Sequence, residues 1–585
     1  ITSAAVQGVV ERPAWGHLCG RDPEEARVRP NRHFELFRRR ERVLRQVGQE
    51  LLAPPGAPVI GMPRALLAHS YVPLWRAFCA ALGYQLELGP ATSRQVVELA
   101  SDWVGADYCF PVKLAHGHAR MLLEQQGLPR VLVPYMVRAG EAGQQVSQTY
   151  FCPYNIGLPA MIESAMVLRG IDPRDRLLKP TLDLRWDDRT AAERLHRDLG
   201  QALGRSRGEI AAAWRRAITV QRRVEAELAA MGRTAMAEVL ASEQPAVVIL
   251  GRPYNVYDAG ANLALPEKIA RLGLTVVPLE LLPLDEQRLG HGFDNMFWNY
   301  GRKILEAARF VASTPNVYAV CLSNFACGPD SFIQTYAEQI MGGKPMLMLE
   351  LDEHGADAGY MTRLEAFADV VAAHDRSTPP RYDLPLVPAT REALAGRKLW
   401  VPPMHEATTR LAAAAMCASG LQARPLPGED MAAFLAGRRA TRGGECVPCP
   451  ATLGAFLTAV RREGGDPAHH ALFMPTAEGP CRFGQYCTLD RIALDRQGWP
   501  GVPIVSWNSR DSYDGVDRRA RRRIWTAIVL GDVLFKMRCR VLPYERLPGT
   551  TEQLFERWIE RLGQALAEGE KLEPLLRRAR DEFMA

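Results

Sequence analysis

Twelve cysteines are spread through this 585-residue chain, and a thiolate is both a nucleophile and a soft metal ligand. The question concentrates in "SNFACGPDSF", Ser323 to Phe332, which follows the apolar run "VYAVCL" and precedes the helical pattern "FIQTYAEQIMGG". Cys327 thus stands where a strand hands over to a helix. Six cysteines have a proline within two positions: Cys109 ("CFP"), Cys152 ("CP"), Cys327 ("CGP"), Cys446 and Cys449 ("CVPCP") and Cys481 ("PC"). Proline suits the first turn of a helix, where the amides are free. Those amides and the helix dipole favour a thiolate, or an anionic cluster carried by thiolates. The other six are Cys19, Cys79, Cys321, Cys417, Cys487 and Cys539. Most of these fall inside apolar patterns such as "AFCAAL", "YAVCL" and "AAAAMCAS", where a cysteine is expected to be packing.

The turn cysteines also echo one another. Cys109 precedes the strand pattern "VLVPYMV" and Cys152 follows it; Cys446 and Cys449 precede "ALFMP" and Cys481 follows it. In open α/β sheets ligands gather at the carboxyl ends of strands, so distant turns can converge on one crevice. Zinc is the plainer metal reading, but "CVPC" has no second CxxC to complete a ribbon. Ligands scattered over several hundred residues suit an iron–sulfur cluster held between domains better. Packing or redox-active thiols remain the third reading. Lys113, four residues after Cys109 in "CFPVKLAHGHAR", shares its helix face and is placed to offset thiolate charge. His116 and His118 on the same helix are candidate proton donors, against a plain role as core or surface histidines. "LGRPYNVYDAGAN" (Leu250 to Asn262) is a polar strand-to-helix turn that suits a pocket lining or a structural turn equally. "LELDEHGADAGYMTRLEAF" groups Asp352, Glu353, His354 and Asp357 at a strand end, as a metal or partner site or as a solvated helix start. No GxxxxGK[ST], HExxH or GxSxG motif is present.

The elements that must position these residues read as α/β. "PVIGMPRALLAHSYVPLWRAFCAALGYQLELG" gives a strand, a Pro turn, a helix and a second strand. "VVIL", "TVVPLEL", "VYAVCL" and "PMLMLEL" alternate with helical patterns, which implies a parallel sheet covered on both faces. "KLWVPPMHEATTRLAAAAMCASGLQARPLP" repeats the rhythm of the opening unit. The expected organisation is several flavodoxin- or Rossmann-like parallel-sheet domains with a helical spacer and a helical end. Its bounds are a helical connector over 1–54, α/β domains over 55–189, 244–376 and 398–550, a spacer over 190–243, a Pro-rich linker over 377–397 and helices over 551–585.

Composition narrows the function classes. The chain is 47% hydrophobic and 24% charged with a net charge of +6, too weak and dispersed for a nucleic-acid binder. The basic run "FRRRERVLR" (Phe37 to Arg45) reads as a solvated helix face. No apolar run reaches membrane-spanning length and no signal-peptide pattern appears, so a cytoplasmic location is expected and a membrane is not. Reduced thiols then fit better than disulfides. The chain begins with Ile rather than Met, and sequence upstream is expected.

Taken together, "IGMPRALLAHSYVPLWRAFCAALG", "DYCFPVKLAHGHAR", "FCPYNIGLPAMIE", "LGRPYNVYDAGANLALPEKIARLG", "SNFACGPDSFI", "LELDEHGADAGYMTRLEAF" and "GPCRFGQY" resemble the acyl-CoA dehydratase activase-related proteins. These are large relatives of the 2-hydroxyacyl-CoA dehydratase subunits and of double-cubane cluster proteins of anaerobic metabolism. The resemblance spans about Pro58 to Tyr544. It implies an iron–sulfur cluster, [4Fe-4S] or double-cubane, held by cysteines at an interface of flavodoxin-like domains. It also implies an ATPase activator, a partner or an upstream domain with its own cluster, that injects low-potential electrons at the cost of ATP. Carried over by motif, Cys109, Cys152 and Cys327 look like one ligand set, and Cys481 with Cys446 or Cys449 like part of a second. The second set lacks an evident third turn cysteine, and no ATPase motif is visible in the chain. The leading expectation is therefore electron transfer in an ATP-dependent reductase or dehydratase system. A dehydratase acting directly on acyl-CoA by a ketyl-radical route and a cluster-less scaffold are the alternatives.

Overall fold

Three four-stranded sheets, all parallel, repeat one strand order. The first runs Gln85–Leu88, Val59–Met62, Val131–Leu132, Leu177–Leu178; the second Thr275–Pro278, Ala246–Gly251, Val317–Asn324, Met346–Leu351; the third Ala423–Pro425, Lys398–Val401, His470–Phe473, Ile504–Val505. In each unit the first strand lies between the second and the third, as in a doubly wound fold. The crevice at the carboxyl ends of the first and third strands is therefore the natural ligand site. The computed structural model of the chain describes residues 4–6, 9–11, 32–140, 149–284, 289, 292–293, 295–376, 384, 387–428, 430–477, 479–507 and 517–585. Cys19, residues 12–31 of the expected connector and most of the Pro-rich segment 377–386 lie outside the described residues.

The middle sheet is the most deeply covered. Ala246–Gly251 and Val317–Asn324 are buried at every position, the signature of parallel strands shielded on both faces. In the first unit the single strand expected over "VLVPYMV" is two short pieces, Val131–Leu132 and Tyr135–Met136. Pro134 has no amide to give the ladder, and Pro180 interrupts the neighbouring strand in the same way.

Helices close the layers. Asp188–Leu203 starts on Asp187, whose side chain accepts the Thr190 amide, and ends on left-handed Gly204. Arg207–Ala241, 35 residues long, starts with a reciprocal Ser206–Glu209 capping box. It packs on helix Ala68–Ala81 and on the turn Leu279–Leu281, where the Gly232 Cα faces the Leu281 carbonyl. Helices Arg518–Val541, Thr550–Glu568 and Leu572–Met584 form an apolar cluster with Leu411 and Ala415 of helix Glu406–Cys417. A continuous core links the three units, with Trp75, Trp298, Phe332 and Phe456 among its members. Among the described residues no helix is long and apolar enough to cross a membrane.

The basic run at 37–45 departs from its reading as a solvated face. Arg40 is buried: it pairs with Glu280, lies 3.4 Å from the centre of the Tyr257 ring and donates to the His69 carbonyl. With Leu36, Phe37 and Val47 it lies on the inward face of helix Glu35–Glu50 and ties that helix to the first two units. Cys417, expected to pack, is exposed near the end of its helix, while Cys79 and Cys321 are buried.

Candidate functional site

Cys109, Cys152 and Cys327 each occupy the residue immediately before a helix, Phe110–Arg120, Pro153–Val167 and Gly328–Met341, each with Pro in the first turn. In this position the free first-turn amides point back at the side chain. The Val112 amide donates to the Cys109 carbonyl at 3.0 Å, and it pulls the Cys109 thiol down as the amides of Tyr154 and Asn155 pull Cys152 down. The backbone before Cys327 is constrained further: Ala326 is left-handed at φ 60°, a conformation costly for a residue with a Cβ. The Cys327 amide donates to the Asn324 carbonyl at 3.0 Å. Asn324 is cross-linked to Asn255, which donates to the Leu322 carbonyl.

One buried cation acts on all three thiols. Arg252 follows strand Ala246–Gly251 directly and is only 2% exposed. It pairs with Asp330 and donates to the Cys327 sulfur at 3.4 Å, while Asp330 accepts from Ser323 at 2.6 Å. Cys109, Cys152 and Cys327 are all within electrostatic reach of Arg252, and Cys327 interacts with both of the others. Two come from the first unit and one from the second, so the site lies across their interface. Burial pushes the Cys109 thiol up to about 12, with the neighbouring Cys152 adding to it. Burial also raises Cys152, against the pull of Arg252, and raises Cys327 well above its ordinary value. Arg252 itself stays firmly charged: burial works against it, but Asp330 and then Cys327 outweigh that.

Four aromatic groups line the surroundings, Tyr154 among them exposed. Tyr254 is buried beside the three cysteines. Tyr108 stacks on His116 at 5.8 Å and meets Tyr154 edge-on at 5.5 Å. His116 is a satisfied core histidine bonded to the Val112 carbonyl. Lys113 faces carboxylates: it pairs with Asp107 at 2.9 Å and with Glu353 at 2.6 Å, a link between the first and second units. Glu353 therefore has a cationic partner from another unit, and Asp357 of the same acidic group pairs with Lys268.

His118 belongs to a different arrangement, a buried polar network between the first two units. Thr92 donates to Asp258 at 2.6 Å and lies 2.9 Å from His118 Nε2; His69 Nε2 is 3.9 Å from Asp258. Burial, then Arg40 and Arg64, push His69 down to about 3. Burial pushes His118 down to about 4 against the opposing charge of Asp258. Asp258 is raised by burial. The turn "LGRPYNVYDAGAN" thus serves both arrangements, through Arg252 and Tyr254 at one end and Asp258 at the other.

Of the second expected set, Cys446 and Cys449 lie within electrostatic reach of each other in the third unit. Cys446 Sγ meets the Tyr486 hydroxyl at 2.7 Å. Cys449 is buried in helix Pro448–Arg462, its thiol raised well above the ordinary value by burial, then by Asp490 and Cys446. Cys481 is exposed at the cap of the turn Arg482–Gln485. Its neighbour Arg482 lies against Gly328 and is within electrostatic reach of Cys449 and Tyr154. Trp298, which donates to the Pro480 carbonyl, bridges to Tyr150 just before Cys152. The third unit therefore leans on the first two through this loop.

Free thiols at helix starts, beside a buried guanidinium, suit an iron–sulfur group. Their amides and the cation both stabilise sulfur-borne negative charge. Among the described residues no three His, Cys, Asp or Glu side chains close on a point as a single metal ion requires.

Arg252, Tyr254 and Asp258 lie in the Leu250–Asn262 turn read as a pocket lining or a structural turn, while Asp330, Arg482 and Thr92 were not named as site residues. The signal for Arg252 was its position, the first residue after the first strand of an α/β unit and just before a Pro-started helix.

Residues 59–282 match the family described as the CoA enzyme activase uncharacterised domain. The match covers the first unit and the first two strands of the second, with Cys109, Cys152 and Arg252 inside it and Cys327 beyond it. It agrees with the resemblance to acyl-CoA dehydratase activase-related proteins read from the motifs. No curated protein matches the chain.

Proposed function

We propose that this chain, with its CoA enzyme activase domain over residues 59–282, is an iron–sulfur electron carrier of an ATP-dependent reductase or dehydratase system. Cys109, Cys152 and Cys327 are the ligands in this reading. A bound iron–sulfur group supplies one-electron redox chemistry at low potential. The observation that carries the reading is the arrangement of three cysteines, each heading a helix, drawn from two units around buried Arg252.

Each residue then has a physical task. The first-turn amides and Arg252 offset thiolate charge that burial alone penalises. Asp330 holds the guanidinium in place and is itself held by Ser323. Tyr254, Tyr108 and Phe110 keep water away, which strengthens those interactions. The family description fits an activator or dehydratase as partner, and an ATPase activator with its own cluster is the proposed electron donor. Lys113, paired with two carboxylates, is a unit-to-unit tie here, and the proton-handling role passes to the His69–Asp258–His118 network.

The test uses the anaerobically purified chain with a dehydratase-type ATPase activator, dithionite and ATP, followed by electron paramagnetic resonance. A reduced-cluster signal that requires both activator and ATP, and that is lost in Cys327→Ser, is expected. A signal independent of ATP, or unchanged in the variant, overturns the proposal. Adding 2-hydroxyacyl-CoA to the same mixture identifies direct dehydratase action by product formation.

A further inference from the structure

A 180 Å³ cavity lies between the second and third units, away from the cysteines at the helix starts, and three arginines line it. Arg439 comes from the last turn of helix Met431–Ala440, Arg442 from the loop after it and Arg496 from the end of helix Tyr486–Arg496. The opposite wall is helix Gly328–Met341, which contributes Thr335 and Glu338. Glu338 is shared: it pairs with Arg442 and lies 3.7 Å from Arg496. Arg439 has no carboxylate partner among the described residues. The lining charges therefore sum to three positive and one negative, a surplus of two held around one space.

We propose that this cavity binds a phosphate group, free or as the phosphomonoester of a larger ligand. The surplus charge matches a phosphate dianion. Arginine forks suit tetrahedral oxyanions because each presents paired N–H donors. The space equals that of about six water molecules in the liquid, enough for a phosphate and part of what it is attached to. A helix end favours a nearby cation and accounts for Arg439 and Arg496, each in the last turn of its own helix. It does not account for the convergence of those two helix ends, with Arg442 from a loop, on one space around a single glutamate. A ligand here would bridge the helix that Cys327 heads and the helices of the third unit. The site is independent of iron binding.

Isothermal titration of the full chain with inorganic phosphate, in low-salt alkaline buffer, tests this. One phosphate per chain is expected. Arg439→Ala and Arg496→Ala should each weaken binding about tenfold or more, the value of a charge-assisted hydrogen bond. Glu338→Gln removes the competing carboxylate and should tighten binding, a gain that a merely misfolded variant would not give. Adenosine 3′,5′-bisphosphate and ADP are titrated alongside. Tighter binding of the bisphosphate assigns the site to the head of coenzyme A, tighter binding of ADP to a nucleotide, and no preference to free phosphate. Absence of saturable binding with all three probes overturns the proposal. So does an unchanged phosphate affinity in both arginine variants, or weaker binding in Glu338→Gln.

Discussion

Asp330→Asn isolates the electrostatic core of the site. The change keeps the shape of the side chain and a group for Ser323 to bond, but leaves Arg252 buried, 2% exposed, without a carboxylate. Removing one partner of a buried pair costs about 3–5 kcal/mol because the other charge stays desolvated. For a unit of this size each kcal/mol moves the melting midpoint by about 2–4 °C, so a fall of roughly 6–20 °C is expected in iron-free protein. Adding Arg252→Met removes the stranded charge and should recover most of the loss, a coupling of about 2 kcal/mol or more. In iron-loaded protein the thiolates supply negative charge to Arg252, so the Asp330→Asn penalty should shrink. Calorimetric melting of the four variants, with and without iron, reads all of this. A single-variant loss below about 1 kcal/mol that is additive with Arg252→Met would refute the reasoning, since it means the pair is hydrated and uncoupled.

The buried histidines predict a pH dependence. His69 and His118, near 6.5 when unfolded, are held neutral down to about 3 and about 4 in the folded chain. Below about pH 6.5 the unfolded chain binds protons that the folded chain does not, so stability falls with pH by up to about 1.4 kcal/mol per unit per histidine. Asp258, raised by burial, opposes this at the acid end, where the folded chain takes up its proton first. Urea midpoints at about pH 7.5 and about pH 5 should differ, and His69→Gln should flatten the difference; an unchanged slope contradicts the buried network. Asn155 is buried with both amide atoms unpartnered among the described residues, so Asn155→Leu should leave the melting point equal or higher; a fall of several degrees would mean that the amide has a partner. A methyl at Gly260 would meet the Thr92 carbonyl at 2.1 Å. Gly260→Ala should therefore destabilise by about 1–3 kcal/mol and expose amides around Thr92 and Asp258 to hydrogen exchange, and full retention of protection would contradict the close approach.

Cys109, Cys152 and Cys327 were legible as helix-start residues because a proline in the first turn marks that position locally. Arg252 carries the same mark, Pro253 at the start of helix Pro253–Tyr257, but its burial was not legible, because it is decided by residues 75 positions away. Arg40 was readable in principle, since it lies three residues after Phe37 and four after Leu36 on the inward face. The density of arginines around it hid that register. The split of the first sheet's third strand follows from Pro134, whose missing amide outweighs the apolar run it sits in. Three parallel sheets were visible in the alternation of strand and helix patterns. Their shared order was not, because pairing is set by contacts that a single sequence does not display.

The central claim is that thiols from two units hold one iron–sulfur group. Iron and acid-labile sulfide measured on anaerobically purified chain test it most directly. Wild-type protein should carry about four of each per cluster, with both falling together in Cys109→Ser, Cys152→Ser and Cys327→Ser. Protein free of iron and sulfide after anaerobic purification and reconstitution, or iron content unaffected by all three substitutions, would contradict it.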